Sequence, residues 1–401
     1  MKVLVLNSGS SSIKYQLINT DDEKVMAKGN FEKIGSKDSF LTHKVKDEKY
    51  KTEEYVKNHR EALKIVFNQF TNKEYGVIEE LSEIDAIGHR IVHGGTMTES
   101  ALVTDEVVEK IKECEALDPL HNPPAIAGIE ACQSLMPDTP MTVIFDTAFH
   151  STIPAYRYLY PIPYEYYEKY GIRKYGFHGT SHKYIGQRTA ELVGKKPNEL
   201  KIISCHIGQG ASLCAIENGK SVDTTMGFTS LGGIMMGSRS GDLDPSIVTF
   251  LMRKENINSS EMDRILNKES GLKGISGVSE DNRDLLTAIQ ENNEYARRCE
   301  IALEEYCYII AQYIAKMAVA MNGVDVISFA GGVGERGNDE RKRILEHLEW
   351  MGIEIDREAN KEAFAKEAKI STDNSKVQVW VVPTEEELMI ARETRDLVEN
   401  K

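Results

Sequence analysis

Cysteine is sparse and unpaired in this sequence of 401 residues. The six present, Cys114, Cys132, Cys205, Cys214, Cys299 and Cys307, form no Cys-x-x-Cys pair, and several sit in apolar stretches where a free thiol acts as a small hydrophobe. That usage fits a reducing cytosol. Long apolar runs are missing as well. Nowhere does the chain approach the ~18 apolar residues of a membrane span. The opening Met1-Lys2-Val3-Leu4-Val5-Leu6-Asn7 holds an apolar run of only four residues, too short for a signal-peptide core. A cytoplasmic, soluble protein is expected. Positive charge is also in deficit: 63 acidic residues against 49 basic ones leave −14, with no run of five like charges to offset it. Such a surface repels nucleic acid and anionic lipid, and neither is expected as a partner. What remains, 28% charged and 41% apolar residues, is ordinary for a folded protein. At roughly 100–200 residues per domain the length makes two or three domains. An acidic chain that handled an anionic substrate would have to gather its positive charge in one place.

Two regions share one grammar of β-rich run, glycine-bearing turn, second β-rich run, polar tip and third run. They span Lys2 to about Gly29 and Leu200 to about Gly227. A shift of 199 positions lays Asn7-Ser8-Gly9 on His206-Ile207-Gly208, Leu17 on Ile216 and Asn19 on Asn218, the mark of an internal duplication. Helical spacing covers Arg60–Phe70 and Thr104–Leu117, and Asn122-Pro123-Pro124 predicts a third helix with Asn122 as its cap. Met141–Phe145 reads as a buried strand ending at Asp146. The segment from Ser151 to Tyr175, rich in Pro and Tyr, reads as a domain connection. Helices are expected near Ser246–Arg253, Ser260–Asn267 and Tyr295–Met321. A strand from Val324 to Phe329 runs into Ala330-Gly331-Gly332-Val333-Gly334. A last strand, Val377–Val382, is ended by Pro383 and followed by a helix from Thr384 to Val398. This alternation argues for an α/β chain built as two similar layered halves.

Three glycine-bearing turns follow strands: Asn7 to Lys14, His206-Ile207-Gly208-Gln209-Gly210, and Gly331-Gly332-Val333-Gly334. Glycine lets backbone N–H groups approach an anion, and serine hydroxyls with one lysine add donors for phosphate. None matches the Walker pattern, and the first is a hairpin rather than the strand-to-helix turn of a dinucleotide fold. His and Arg crowd beside glycine in His89-Arg90-Ile91-Val92-His93-Gly94-Gly95, in Phe177-His178-Gly179-Thr180-Ser181-His182, and in Gly237-Ser238-Arg239-Ser240-Gly241. For His89, His93 and His182 the plain alternative is a satisfied structural histidine. His121 and His178 each adjoin a helix start, where the N-terminus adds positive potential.

Taken in order, the stretches Leu6–Lys14, Gly88–Gly95, Leu120-His121-Asn122-Pro123-Pro124, Phe145-Asp146-Thr147-Ala148-Phe149-His150, Phe177–His182 and Arg239-Ser240-Gly241-Asp242 resemble the acetate kinase family from end to end. The resemblance implies two duplicated actin/ribonuclease H-like domains, each a mixed sheet flanked by helices. Residues 1–150 would form an acyl-substrate domain, with a C-terminal helix at about 384–401 packing back on it, and 151–383 a nucleotide-binding domain. It further implies a homodimer that reversibly transfers the ATP γ-phosphoryl group to acetate with Mg2+, or Mn2+ in its place, giving acetyl phosphate and ADP. Propionate or butyrate kinases are the nearest alternative.

Anion attacking anion is the difficulty of that reaction, and each arginine set against those charges is worth on the order of 4 kcal/mol at ~4 Å before desolvation. By resemblance, Arg90 and Arg239 orient the carboxylate and the transferring group, while His121 and His178 donate to the equatorial oxygens. Asp146 corresponds to the family's active-site aspartate. The substrate is already ionised, so Asp146 reads as a holder of metal-bound water or of Arg and His rather than as a base. The metal would fall to Asn7 and Glu386. Glu387, three residues after Thr384, is expected to close a capping box with it. Nucleotide contacts fall to Ser10, Ser12, Lys14, His206, Gly208 and Gly210, and on the adenosine side to Asp281, Arg283 and the turn Gly331, Gly332, Val333, Gly334 and Glu335. The chain departs from the family pattern at Ser230-Leu231-Gly232-Gly233, where Pro-Leu-Glu-Gly is usual, and at Glu385 and Arg336, where Asn is usual. Ser230 bears on acyl-chain preference and Arg336 on nucleotide preference.

Overall fold

The computed structural model describes residues 1–115, 117, 118 and 121–400. Ala116, inside the expected Thr104–Leu117 helix, and Leu120, first residue of the Leu120–Pro124 motif, lie outside the described residues. Two compact units emerge: Met1–Ser151 with Glu385–Lys401, and Thr152–Thr384.

The first unit is an eight-stranded mixed sheet of β1 (Lys2–Gly9), β2 (Ser12–Asn19), β3 (Lys24–Glu32), β4 (Phe40–Val45), β5 (Glu48–Glu53), β6 (Ala86–Ile91), β7 (Ala101–Leu102) and β8 (Met141–Phe145), in the order β5-β4-β3-β2-β1-β6-β8-β7. Strand period two assigns its faces. Leu4, Leu6, Ile13, Tyr15 and Leu17 pack with Leu63, Val66 and Phe70 of the helix His59–Phe70 and with Ala131 and Cys132 of the helix Asn122–Leu135. Val3, Val5, Ile18 and Ile144 point to the other face and meet Ile390 and Ala391 of the C-terminal helix Glu386–Glu399. Each such side chain contributes about 1.5–3 kcal/mol on burial. Gly88 lies on that second face, where a Cβ would collide with Thr394 and Ile390, so the helix can approach β6 closely only over glycine.

The second unit repeats the plan with six strands: β9 (Lys201–Ile207), β10 (Ala211–Glu217), β11 (Lys220–Thr224), β12 (Val326–Ala330), β13 (Ala368–Lys369) and β14 (Gln378–Val381), ordered β11-β10-β9-β12-β14-β13. Both sheets thus share an antiparallel three-strand meander, two strands parallel to its first strand, and an antiparallel edge, and the first sheet extends its meander by β4 and β5. The α/β duplication read from the 199-residue shift is present as shared topology. The helices Gly179–Val193 and Ala296–Met321 pack on this sheet. All six cysteines are free and buried.

Three local expectations change. Asn122 is the first residue of its helix rather than the cap; His121 holds the cap position without a side-chain cap bond. The Asn122 amide instead donates to the His93 carbonyl at 2.9 Å, and its Oδ1 accepts from the His93 N–H at 3.3 Å, a buried exchange that outweighs an exposed cap. The capping box at Thr384 does not form: Glu385 holds the cap position, and the Thr384 hydroxyl lies 2.7 Å from that of Ser181. Gly331-Gly332-Val333-Gly334 opens a short helix, Gly331–Arg336, rather than a plain turn. Gly331 sits at φ 76°, and a Cβ there would meet the Ile207 backbone at 2.8 Å, so this strand-to-helix junction requires glycine.

Candidate active site

In each unit the candidate residues gather at the carboxyl ends of the parallel strands, where α/β sheets bind ligands. Leu6 stands opposite His89 in the parallel pair β1–β6, and Arg90 opposite Ile144 in β6–β8. Asn7, Arg90 and Asp146, each on the Val5 or Ile144 side of its strand, therefore share the face under the C-terminal helix. Lys14 joins them as the antiparallel partner of Asn7. Asp146 takes the Arg90 guanidinium in two bonds, from Nε at 3.0 Å and from Nη2 at 2.7 Å. Glu386, in the first turn of the C-terminal helix where the dipole favours an acid, stands 3.4 Å from Nη2. Burial alone would lower the Arg90 pKa, but the carboxylates of Asp146 and Glu386 hold it above the ordinary arginine range. Burial pushes the Asp146 carboxyl up, against the pull of Arg90. His121 lies half exposed with its Nδ1 2.8 Å from Asp118. Ser10 is exposed in the turn after β1, and Ser12 opens β2. Glu387 lines an open cavity of about 240 Å³ with Lys14, Lys28 and Lys44.

In the second unit Ser212 pairs with His206, and Cys214 with Ser204, along β10 and β9. These side chains lie beneath the start of the helix Gly179–Val193. His178, at its cap position, has φ 57° and ψ 24°, a left-handed conformation that costs a non-glycine residue on the order of 1–3 kcal/mol and recurs at functional sites. Its ring stacks on His206 at 4.3 Å and its Nδ1 lies 2.8 Å from Ser212 Oγ. His206 Nδ1 in turn lies 2.7 Å from Ser181 Oγ. Arg239 is close by: a Cβ on Gly210 would stand 3.5 Å from His178 Nε2 and 3.6 Å from Arg239 Nη1. Nη1 donates to the Ser230 carbonyl at 3.0 Å and approaches Met236 Sδ at 3.7 Å. Arg239 forms no ion pair among the described residues, and burial lowers its pKa. Gly208 reaches the third turn, since a Cβ there would lie 3.7 Å from the Gly332 nitrogen. Glu335 braces that turn from inside, accepting from the Gly331 N–H at 2.9 Å and the Thr384 N–H at 3.3 Å.

The structure therefore brings together Asn7, Lys14, Arg90, Asp146 and Glu386 in one group, and His178, His206, Gly208, Gly210, Arg239 and Gly332 in another. Asp281 and Arg283 stand apart from these groups' contacts: Asp281 caps the helix Asn282–Gln290 and holds the exposed Arg283 side chain at 2.6 Å. Sequence reasoning missed Ser181, Ser204 and Ser212 as parts of this group and left His182 between a site role and a satisfied structural histidine. Its Nδ1 and Nε2 each lie 2.8 Å from a serine hydroxyl. The available signal was a pair of polar residues, Ser204 and His206, two apart in a strand that is otherwise apolar from Ile202 onward.

The first group suits a hard divalent cation. Its donors are oxygens only, an amide from Asn7 and the carboxylates of Asp146 and Glu386, and Mg2+ typically takes one or two carboxylates with phosphate and water rather than an all-protein cage. No group of three or more His, Cys, Asp or Glu side chains able to hold a metal occurs among the described residues.

Compared with known proteins, residues 2–392 match the model of the acetokinase family. An acetate kinase of Thermoanaerobacterium thermosaccharolyticum is 55% identical over 401 residues, covering 100% of each chain. Among solved structures, the acetate kinase of Porphyromonas gingivalis superposes with a TM-score of 0.95 at 44% identity over 99% of each chain. A propionate kinase from Francisella tularensis does so with a TM-score of 0.90 at 38% identity, also over 99% of each.

Proposed function

This chain belongs to the acetokinase family, and from that membership together with its two groups of site residues we propose that it transfers the γ-phosphoryl group of ATP to acetate, reversibly, giving acetyl phosphate and ADP. The enzyme is a kinase whose acceptor is a carboxylate. Arg239 carries this reading: a half-buried guanidinium answered by one carbonyl and one thioether, with no carboxylate partner among the described residues, is held ready for an anion.

Acetate is ionised at neutral pH, so no base is needed to create the nucleophile. One acetate oxygen attacks the γ-phosphorus in line while the bond to the bridging oxygen of ADP breaks. In the unit Met1–Ser151 with Glu385–Lys401, Arg90 orients the acetate. Asp146 grips its Nε and Nη2 and leaves Nη1 for the substrate. His121, near enough to act on the Asp146 carboxyl, adds a donor. Lys14, with Ser10 and Ser12, answers phosphate charge. In the unit Thr152–Thr384, His178 and Arg239 donate to the equatorial oxygens, as preorganised donors must. The backbone at Gly208, Gly210 and Gly331–Gly334 cradles the phosphates, with His206 beside them, Glu335 holding that turn, and Asp281 and Arg283 on the adenosine side. Asn7 and Glu386 would hold Mg2+, or Mn2+ in its place, and the bound ion would supply charge neutralisation for the phosphates.

The chain works as a cytoplasmic homodimer. Supporting self-association, the helix Pro245–Glu255 has no buried residue and exposes Ile247 and Phe250. No helix among the described residues is long and apolar enough to cross a membrane. Hydroxamate yield from acetate, propionate and butyrate with ATP tests the reading. Acetate is expected to lead; a propionate rate above the acetate rate assigns the chain to the alternative that Ser230 raises, since one methylene is worth only ~1–3 kcal/mol of discrimination.

A further inference from the structure

A connected hydrogen-bond path runs from the interior of the Thr152–Thr384 unit to His178. Ser204 Oγ lies 2.8 Å from His182 Nδ1, His182 Nε2 lies 2.8 Å from Ser212 Oγ, and Ser212 Oγ lies 2.8 Å from His178 Nδ1. Ser204, His182 and Ser212 are all fully buried. His178 and His182 are one helical turn apart, which sets both rings over the same sheet face.

With neutral imidazoles the path has two self-consistent proton settings. In one, His178 donates from Nδ1 to Ser212, Ser212 donates to His182 Nε2, and His182 donates from Nδ1 to Ser204. His178 Nε2 is then bare. In the other every bond is reversed: Ser204 donates to His182 Nδ1, His182 donates from Nε2 to Ser212, and Ser212 donates to His178 Nδ1, so that His178 carries its proton on Nε2. Ser204 decides between them. Its hydroxyl meets His182 and no other hydrogen-bond partner among the described residues. The first setting strands the Ser204 proton in the interior without an acceptor. The second leaves only lone-pair capacity unused, and a buried donor without an acceptor is the rarer and costlier defect.

We propose that Ser204, His182 and Ser212 are positioning residues that hold His178 as the neutral tautomer protonated on Nε2, the nitrogen on the Gly210 and Arg239 side of the ring. The proposal rests on the reading of His178 as a donor to the transferring phosphoryl group. It gives that donor a fixed proton and a fixed ring orientation before substrate arrives, as preorganisation requires.

Side-chain 15N spectra of the full-length protein carrying 15N-histidine read the tautomers directly. Both His178 and His182 are expected to show a protonated Nε2 and a bare Nδ1; a protonated Nδ1 on His178 overturns the proposal. In kinetics, Ser212→Ala is expected to lower kcat by about ten- to a hundredfold. KM for acetate and for ATP should stay within about twofold, with Ser212→Thr recovering most of the rate. A Ser212→Ala enzyme with wild-type kcat overturns the relay, and if that variant does not fold the wild-type spectrum still decides. His178→Ala separates the two ideas. Full turnover there removes the donor reading itself, whereas lost turnover beside a fully active Ser212→Ala enzyme removes only the relay.

Discussion

Replacing Arg90 with alanine leaves Asp146 and Glu386 without the cation that both address. Arg90 bonds Asp146 at 3.0 and 2.7 Å and lies 3.4 Å from Glu386. The Asp146 side chain is only 2% exposed, so water cannot take the guanidinium's place without rearrangement. At ~4 Å and an effective dielectric near 20 the lost attraction is about 4 kcal/mol. That falls within the roughly 3–5 kcal/mol lost when one member of a buried pair is removed. For a unit of this size it corresponds to a Tm lower by on the order of 10 °C. Arg90→Ala thus costs stability in addition to the substrate orientation that the proposed function assigns to Arg90. The pH dependence has a definite sign. Burial already holds the Asp146 carboxyl above the ordinary aspartate range against the pull of Arg90, so removing Arg90 raises it further. A carboxyl whose folded pKa is raised contributes stability that is fully present below the unfolded pKa of ~4 and is lost as pH rises through the folded value. Arg90→Ala should therefore melt nearest to wild type at about pH 4 and fall progressively behind toward about pH 8. Thermal unfolding followed by circular dichroism across that range, with Asp146→Asn and the double variant alongside, is the assay. The double variant should melt above Arg90→Ala at the alkaline end, because the neutral amide removes the stranded charge. A deficit independent of pH, or a double variant no better than the sum of the singles, refutes the argument.

Arg239→Ala removes a desolvated cation held by one carbonyl, so its melting should stay within ~1 kcal/mol of wild type while kcat falls by about 10²–10³; retained turnover would show that the guanidinium does not address the transferring group. Gly210→Ala adds a methyl 3.5 Å from His178 Nε2 and 3.6 Å from Arg239 Nη1, ordinary contact distances that leave the fold intact. Because that methyl fills the space the two donors share, kcat should drop by roughly tenfold or more, and unchanged steady-state rates would place the reacting group elsewhere.

Much of this arrangement was legible in the chain because it rests on local periodicity. Met141–Phe145, apolar but for Thr142, forms a buried strand with those bounds, and the 199-residue shift foretold two sheets that share a topology. What failed was the assignment of partners. Asn122 and Thr384 both look like caps when only their own helices are considered. Each instead bonds a residue distant in sequence, the His93 backbone and the Ser181 hydroxyl, because a buried polar group must be satisfied wherever a partner lies. The Arg90 and Asp146 pair was expected only through the family resemblance, since its members lie on β6 and just past β8; the same limit hid the serines of β9 and β10, which look like filler until the strand register turns them to one face.

Charge makes the two groups complementary in kind. Lys14 and Arg90 bring two positive charges against the two carboxylates of Asp146 and Glu386, so this group is no anion trap by itself, and its oxygen donors match a divalent cation that arrives with phosphate. The second group differs: Arg239 brings a cation with no carboxylate partner among the described residues, and His178, on the proposed reading, brings a hydrogen-bond donor. A net charge of −14 is compatible with anionic substrates for that reason, since what matters is where a guanidinium lacks a carboxylate, not the total. On the proposed function the pairing of Arg90 also serves orientation. With Nε and Nη2 fixed by Asp146, the side chain has lost its rotational freedom before acetate arrives, and Nη1, which makes no hydrogen bond among the described residues, is left pointing in one direction. A substrate as small as acetate has little beyond its carboxylate to be held by. An arginine ordered in advance by a buried aspartate is therefore worth more to its positioning than a freer arginine of the same charge.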